Sequence, residues 1–271
     1  MLCDSMPYLA PIILLHGGPS IFGYIHTLVP FLPQSHIVNY AQPGTKENPS
    51  SQANLAEQYR EVDKRIEPFQ RSKPILIGHS WGANLALLYA ALHPRNISEV
   101  IVIGTAPFSV KLEKKMQFQI WHRLDSKTQE QLDEIDAKID IAAQNHQYTM
   151  LEGLLKKRIQ LTSPVYHCNP ETEDLLPKTS FSLAGFRQAK GALWKHIERG
   201  KIPKLLSSIQ IPIHAIHGNQ DVIPCLETLA FLKQHILKLT CYRIPEAGHF
   251  PWLESKDRFA AALNTILSQH H

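Results

Sequence analysis

The sequence predicts an α/β fold: a mostly parallel sheet with helices on both faces. Three observations carry this. Short apolar runs rich in β-branched residues alternate with amphipathic segments along most of the chain. The pentapeptide Gly78-His79-Ser80-Trp81-Gly82 stands where one such run ends and an unbroken helical pattern begins. About a hundred residues between two of the runs carry helical patterns only.

In chain order, strands are expected at residues 12–15, 36–40, 74–78, 100–104, 213–216 and 239–243. These runs are too short for helices, and turn residues bound them. Amphipathic helices are expected at 22–31, 52–69, 81–93, 225–235 and 256–267. A helical crossover between successive strands makes them parallel. Residues 107–208 break this rhythm, with helices expected at 111–124, 128–145, 149–160 and 182–199 and no strand. The stretch reads as a helical cap inserted before the penultimate strand, with residues 1–106 and 209–271 forming one core. Such an insertion covers the carboxyl ends of the strands, where open α/β sheets place their sites.

Composition narrows the function. At 271 residues and 44% hydrophobic, the chain can bury a large core without staples. A net charge of +4, with no basic run longer than Lys156-Lys157-Arg158, gives nucleic-acid binding no support. The charge run Lys111-Leu112-Glu113-Lys114-Lys115 reads as a solvated face of the cap. Fifteen scattered histidines lack the H-E-x-x-H or Cys-x-x-Cys spacing of zinc sites, and neither glycine-rich phosphate motif occurs, so no metal and no cofactor are expected. Cys3, Cys168, Cys225 and Cys241 are too dispersed for a disulfide framework, which points to a reducing compartment. The start carries no positive n-region, and no apolar stretch approaches a membrane span. A cytoplasmic protein without a membrane partner is expected.

The pentapeptide supplies the chemistry. A serine presented from a strand-to-helix turn holds a strained backbone, and the positions two before and two after it must be small; Gly78 and Gly82 meet that demand. Serine needs a base, usually histidine, oriented by a carboxylate. Asp221 follows one predicted strand, in His217-Gly218-Asn219-Gln220-Asp221, and His249 follows the last, in Gly248-His249. An oxyanion needs two fixed N–H donors. The backbone of Trp81 is the first expected donor, and Gly18, in His16-Gly17-Gly18-Pro19 after the first strand, is the second.

These four motifs together resemble the α/β-hydrolase superfamily and, within it, the proline iminopeptidase-like branch. The resemblance implies an α/β-hydrolase fold with Ser80, Asp221 and His249 as a catalytic triad, Gly18 and Trp81 as an oxyanion hole, and a small-molecule acyl substrate. Three departures accompany it. Ala41 stands where the branch carries an acid before Gln42, Trp121-His122 replaces an expected Trp-Glu, and only about ten residues precede the first strand. The reading is a serine hydrolase of small esters or amides. An aminopeptidase for N-terminal proline and a non-catalytic ligand receptor on the same fold are the alternatives. Cap acids that could hold a substrate amine cluster at Glu171, Glu173 and Asp174, and the cap aromatics Phe118, Trp121, Tyr148, Tyr166, Phe181, Phe186 and Trp194 could wall an apolar pocket.

Overall fold

The structure, a computed structural model, describes residues 10–169, 171, 172 and 174–268. Cys3, Glu173 and His270-His271 lie outside the described residues. The strands are β1 (Ile12–Leu15), β2 (Ile21–Phe22), β3 (Ile37–Asn39), β4 (Ile75–His79), β5 (Val100–Ile103), β6 (Ser180–Phe181), β7 (Ile213–Gly218) and β8 (Leu239–Ile244). Six of them form one parallel sheet in the order β3-β1-β4-β5-β7-β8. The helices are α1 (Leu55–Ile66), α2 (Trp81–Leu92), α3 (Val110–Arg123), α4 (Ser126–Gln144), α5 (Tyr148–Thr162), α6 (Leu183–Glu198), α7 (Ile202–Ser207), α8 (Cys225–His235), α9 (Pro251–Glu254) and α10 (Lys256–Leu267).

Alternate side chains of each strand point to opposite faces, so every strand feeds two cores. Leu15, Leu76, Val102 and Ala215 pack with α1, α2 and α8 on one face. Leu14, Ile77, Ile103 and Ile216 pack with α10 and the 3-10 segment Ile25–Phe31 on the other. Covering both faces explains why these strands read as continuous apolar runs rather than alternating ones. Helix α2 is buried nearly all round, which removes any amphipathic signal from it.

Two expectations about elements need correction. Residues 22–31 are not an amphipathic α-helix but β2 followed by a 3-10 segment that contains Pro30, whose missing N–H would break an α-helical ladder. Residues 107–208 are not free of strand. β6 pairs antiparallel with β2, Ile21 opposite Phe181, and so stitches this region to the loop after β1. Helix α6 is held to the loop after β3 by two glycines. A Cβ on Gly185 would run into the Gly44 carbonyl, and Gly44 itself sits at φ +90°. Among the described residues, no helix is long and apolar enough to cross a membrane.

Candidate active site

Ser80, Asp221 and His249 come from the loops that follow β4, β7 and β8, all at the carboxyl edge of the sheet. Ser80 has φ 54° and ψ −116°, a conformation that L-residues rarely hold. The turn is fixed from both sides. The Ser80 N–H donates to Ile103 O at 2.9 Å, and the Ser80 carbonyl accepts from Ala83 N at 3.0 Å. A Cβ at Gly78 would collide with the Gly82 carbonyl, and one at Gly82 with the carbonyl of Leu15, so the tightness extends from β1 to α2. Ser80 and His249 line one cavity.

His249 is buried, and its Nδ1 is 2.8 Å from Asp221 Oδ2. The Asp221 carboxylate is enclosed by donors. Oδ1 accepts from the Ile223 N–H at 2.9 Å, and Oδ2 also lies 3.2 Å from His217 Nε2. Burial alone would raise the carboxyl pKa, but the charge of His249 and the hydrogen bonds from His217 and His249 outweigh it and hold the pKa well below the usual range. Asp221 is therefore ionised near neutral pH. The loop carrying His249 is clamped from the segment after α5, where Tyr166 O accepts the His249 N–H at 2.8 Å. Arg123 bridges Val165 O and Asp221 O at 3.1 and 3.3 Å.

A buried relay that the sequence reading did not find links these parts. The Gly17 N–H donates to Tyr24 Oη at 2.6 Å, Tyr24 Oη lies 2.6 Å from His79 Nδ1, and His79 Nε2 lies 2.9 Å from the His249 carbonyl. A carbonyl only accepts, so the His79 proton is on Nε2 and Nδ1 must accept from Tyr24. Burial, and then the charge of nearby His249, push the His79 pKa well below its ordinary value, consistent with this single neutral tautomer. Tyr24→Phe leaves two buried groups without partners, and a loss of about 2–4 kcal/mol in urea unfolding is expected. A loss below about 0.5 kcal/mol, within the range of ordinary surface substitutions, would contradict the relay.

The loop after β1 is organised in the same way. Gln42 donates its backbone N–H to His16 Nε2 at 3.0 Å and its side-chain amide to His16 O at 2.9 Å. Burial pushes the His16 pKa down to about 4, so the ring stays neutral. Gly18 sits at φ +48°, Trp81 opens α2, and both line a cavity with Ser80.

The space around Ser80 has two lobes. One, of about 210 Å³, contains His249, Tyr166, Arg158 and Lys190. The other, of about 120 Å³, is bounded by Trp81, Pro107, Leu193, Trp194 and Ile197. Gly18, Ser80, Met116, Phe186 and Lys190 belong to both. Of the cap acids, Asp174 lies 3.7 Å from His167 and Glu171 is exposed, and neither lines these lobes. Of the cap aromatics, Tyr166, Phe186 and Trp194 line them, whereas Phe118 and Tyr148 face solvent. Larger open grooves beside α5 and α6 do not reach Ser80.

Comparison with known proteins follows the same outline. A family model described as alpha/beta hydrolase fold matches residues 10–256. The proline iminopeptidase of Lactobacillus helveticus is 23% identical over 96% of this chain and 90% of its own length. A cis-3-alkyl-4-alkyloxetan-2-one decarboxylase of Shewanella oneidensis is also 23% identical, but the match spans only 41% of this chain and 37% of that protein. Among solved structures, an esterase from Exiguobacterium antarcticum superposes with a TM-score of 0.69 at 18% identity, covering 97% of this chain and 93% of that one. At that identity the likeness is one of fold.

Proposed function

This chain belongs to the alpha/beta hydrolase fold family, and on that premise we propose that it is a serine hydrolase of small carboxylic esters or amides, acting through Ser80, His249 and Asp221. The observation that carries the reading is the 2.8 Å contact between His249 Nδ1 and the Asp221 carboxylate, with His249 lining the same cavity as a strained serine. With its Nδ1–H donated in a hydrogen bond to the Asp221 carboxylate, the His249 ring offers Nε2 as a base. Ser80 Oγ attacks the acyl carbonyl as its proton passes to Nε2. The oxyanion is received by the backbone N–H groups of Gly18 and Trp81; Gly17 is less suited because its N–H is committed to Tyr24. The imidazolium then protonates the leaving group, and water releases the acyl group by the same steps in reverse roles. All of this needs only the chain's own residues.

The similarity to proline iminopeptidase along nearly the whole chain raises a second reading, an aminopeptidase. An N-terminal amine is a cation, and burying it requires carboxylate partners. The lobe that holds His249 carries Arg158 and Lys190 and no Asp or Glu among its described residues. Glu113, in the smaller lobe, is already 3.3 Å from Lys190 Nζ. Ester hydrolysis is therefore favoured. The test is kcat/KM for p-nitrophenyl butyrate against prolyl p-nitroanilide, with an expected preference of at least about 100-fold for the ester, the worth of roughly 3 kcal/mol of unpaired buried charge. A prolyl preference would establish the aminopeptidase, and the absence both of turnover and of fluorophosphonate labelling at Ser80 would point to a receptor.

A further inference from the structure

The two lobes differ in which of them contains the acid that releases the leaving group. His249 lines the 210 Å³ lobe and is absent from the lining of the 120 Å³ lobe. In acyl transfer the leaving oxygen must reach the imidazolium proton, so the leaving group occupies the lobe with His249 and the acyl chain the other. The acyl lobe, walled mainly by Trp81, Pro107, Leu193 and Trp194 with Asn84, Glu113 and Lys190 also in its lining, has room for about four atoms at roughly 30 Å³ each, the size of a short acyl group.

The leaving-group lobe is not apolar. Arg158 and Lys190 reach it from α5 and α6, beside Gln117, Thr162 and Ser163, and no carboxylate lines this lobe among its described residues; Glu113, in the adjoining lobe, pairs with Lys190 at 3.3 Å. Arg158 is paired with Asp136 through Nε and Nη2, at 2.7 and 3.3 Å. Neither bond uses Nη1, which carries two further donors. Asp136 itself lies on α4, 44% exposed and outside the cavity, so water screens its charge while Arg158, 28% exposed, faces inward as well. The pKa of the buried Tyr166 phenol, which shares the lobe, is raised by burial first and then by the charges of Asp221 and Glu113, with Arg158 opposing them. Lys190, the second cation of this wall, keeps two further N–H donors beside its pairing with Glu113.

We infer that the physiological substrate is a short-chain ester whose leaving group carries an anion, a carboxylate or a phosphate, held by Arg158 with Lys190 in the lobe that contains His249. This rests on the serine-hydrolase reading. The guanidinium supplies the specificity, because it presents paired donors to a planar or tetrahedral oxyanion. An anion there also faces the imidazolium that forms in each half-reaction. The bond changes remain those of ester hydrolysis: the acyl C–O bond breaks, Ser80 Oγ takes the acyl group, and the leaving oxygen takes the proton from His249 Nε2.

The test compares butyrate esters of 4-hydroxybenzamide, 4-hydroxybenzoate and 4-hydroxyphenylphosphonate, which share an acyl group and a ring and differ in charge. Wild type should favour at least one anionic ester over the amide by about tenfold in kcat/KM, mainly through KM, as one charge-assisted contact predicts; the arm that leads tells carboxylate from phosphate. Arg158→Gln should collapse that ratio, Arg158→Lys should retain part of it, and Asp136→Asn, which releases Arg158 from its partner, should enlarge it. In parallel, calorimetry on the Ser80→Ala protein measures binding of the three free phenols without catalysis. A ratio near one in both assays, or one that Arg158→Gln and Asp136→Asn leave unmoved, overturns the inference while the hydrolase reading stands. Preferential binding of an anionic phenol to Ser80→Ala, with no wild-type turnover of any ester, sinks the hydrolase reading and leaves an anion site.

Discussion

Ser80→Gly is expected to abolish turnover and at the same time stabilise the protein. Loss of the nucleophile should lower kcat by about 10⁶-fold, since a triad deprived of its serine keeps only the contribution of binding and the oxyanion donors. The stability gain follows from the backbone. At φ 54° and ψ −116°, Ser80 occupies a region that costs about 1–3 kcal/mol for a residue with a Cβ and little for glycine. Glycine gives back about 0.5–1 kcal/mol through the freedom of the unfolded chain, which leaves a net gain on the order of 1 kcal/mol and a rise in Tm of about 2–4 °C. Ser80→Ala separates the two effects, because it loses the same activity but keeps its Cβ and should melt near wild type. A lower Tm for Ser80→Gly than for Ser80→Ala would mean that the turn stores no strain.

What could be read in the sequence, and what could not, divides by distance along the chain. Ile12–Leu15 was legible residue for residue, and the strands at 75–79, 100–103 and 213–218 to within one or two positions, because a buried parallel strand shows itself as a local apolar run bounded by turns. The strand–turn–helix setting of Ser80 was equally local. The pairing of β2 with β6 was not, since two residues of each strand carry no periodicity and the partners lie about 160 positions apart. The relay was hidden for the same reason. Tyr24 is 55 residues from His79 and His79 is 170 from His249, so nothing near Tyr24 in the chain distinguishes it from a core aromatic. Arg158 stands in the sequence as the end of the basic run Lys156-Lys157-Arg158, and nothing local in that run places it in the cavity that holds Ser80. The acidic cluster drew attention by charge density alone, and its described members serve elsewhere. Asp174 faces His167, whose pKa is raised to about 9 because the nearby carboxylates of Asp174 and Glu254 overcome the effect of burial.

Asp221→Asn is expected to lower kcat by about 10⁴-fold, through the position of one proton. The argument turns on which way the new amide faces. The Ile223 N–H, 2.9 Å from Oδ1, can only donate, so the amide oxygen must take that place. The NH₂ group then falls where Oδ2 was, 2.8 Å from His249 Nδ1 and 3.2 Å from His217 Nε2. His217 cannot relieve the clash by giving up its Nε2 proton, because that nitrogen also lies 3.1 Å from Ile223 O, which only accepts. Flipping the amide would set NH₂ against the Ile223 N–H, a second donor–donor contact in a buried site. His249 is the partner free to change. It moves its proton to Nε2 and accepts from the amide through Nδ1, and Nε2 can then no longer take the proton of Ser80. KM should change little, because Asp221 lines neither lobe. The expected signature is therefore a loss confined to kcat, with fluorophosphonate labelling of Ser80 slowed in the same proportion. Turnover within tenfold of wild type would assign the orienting acid elsewhere.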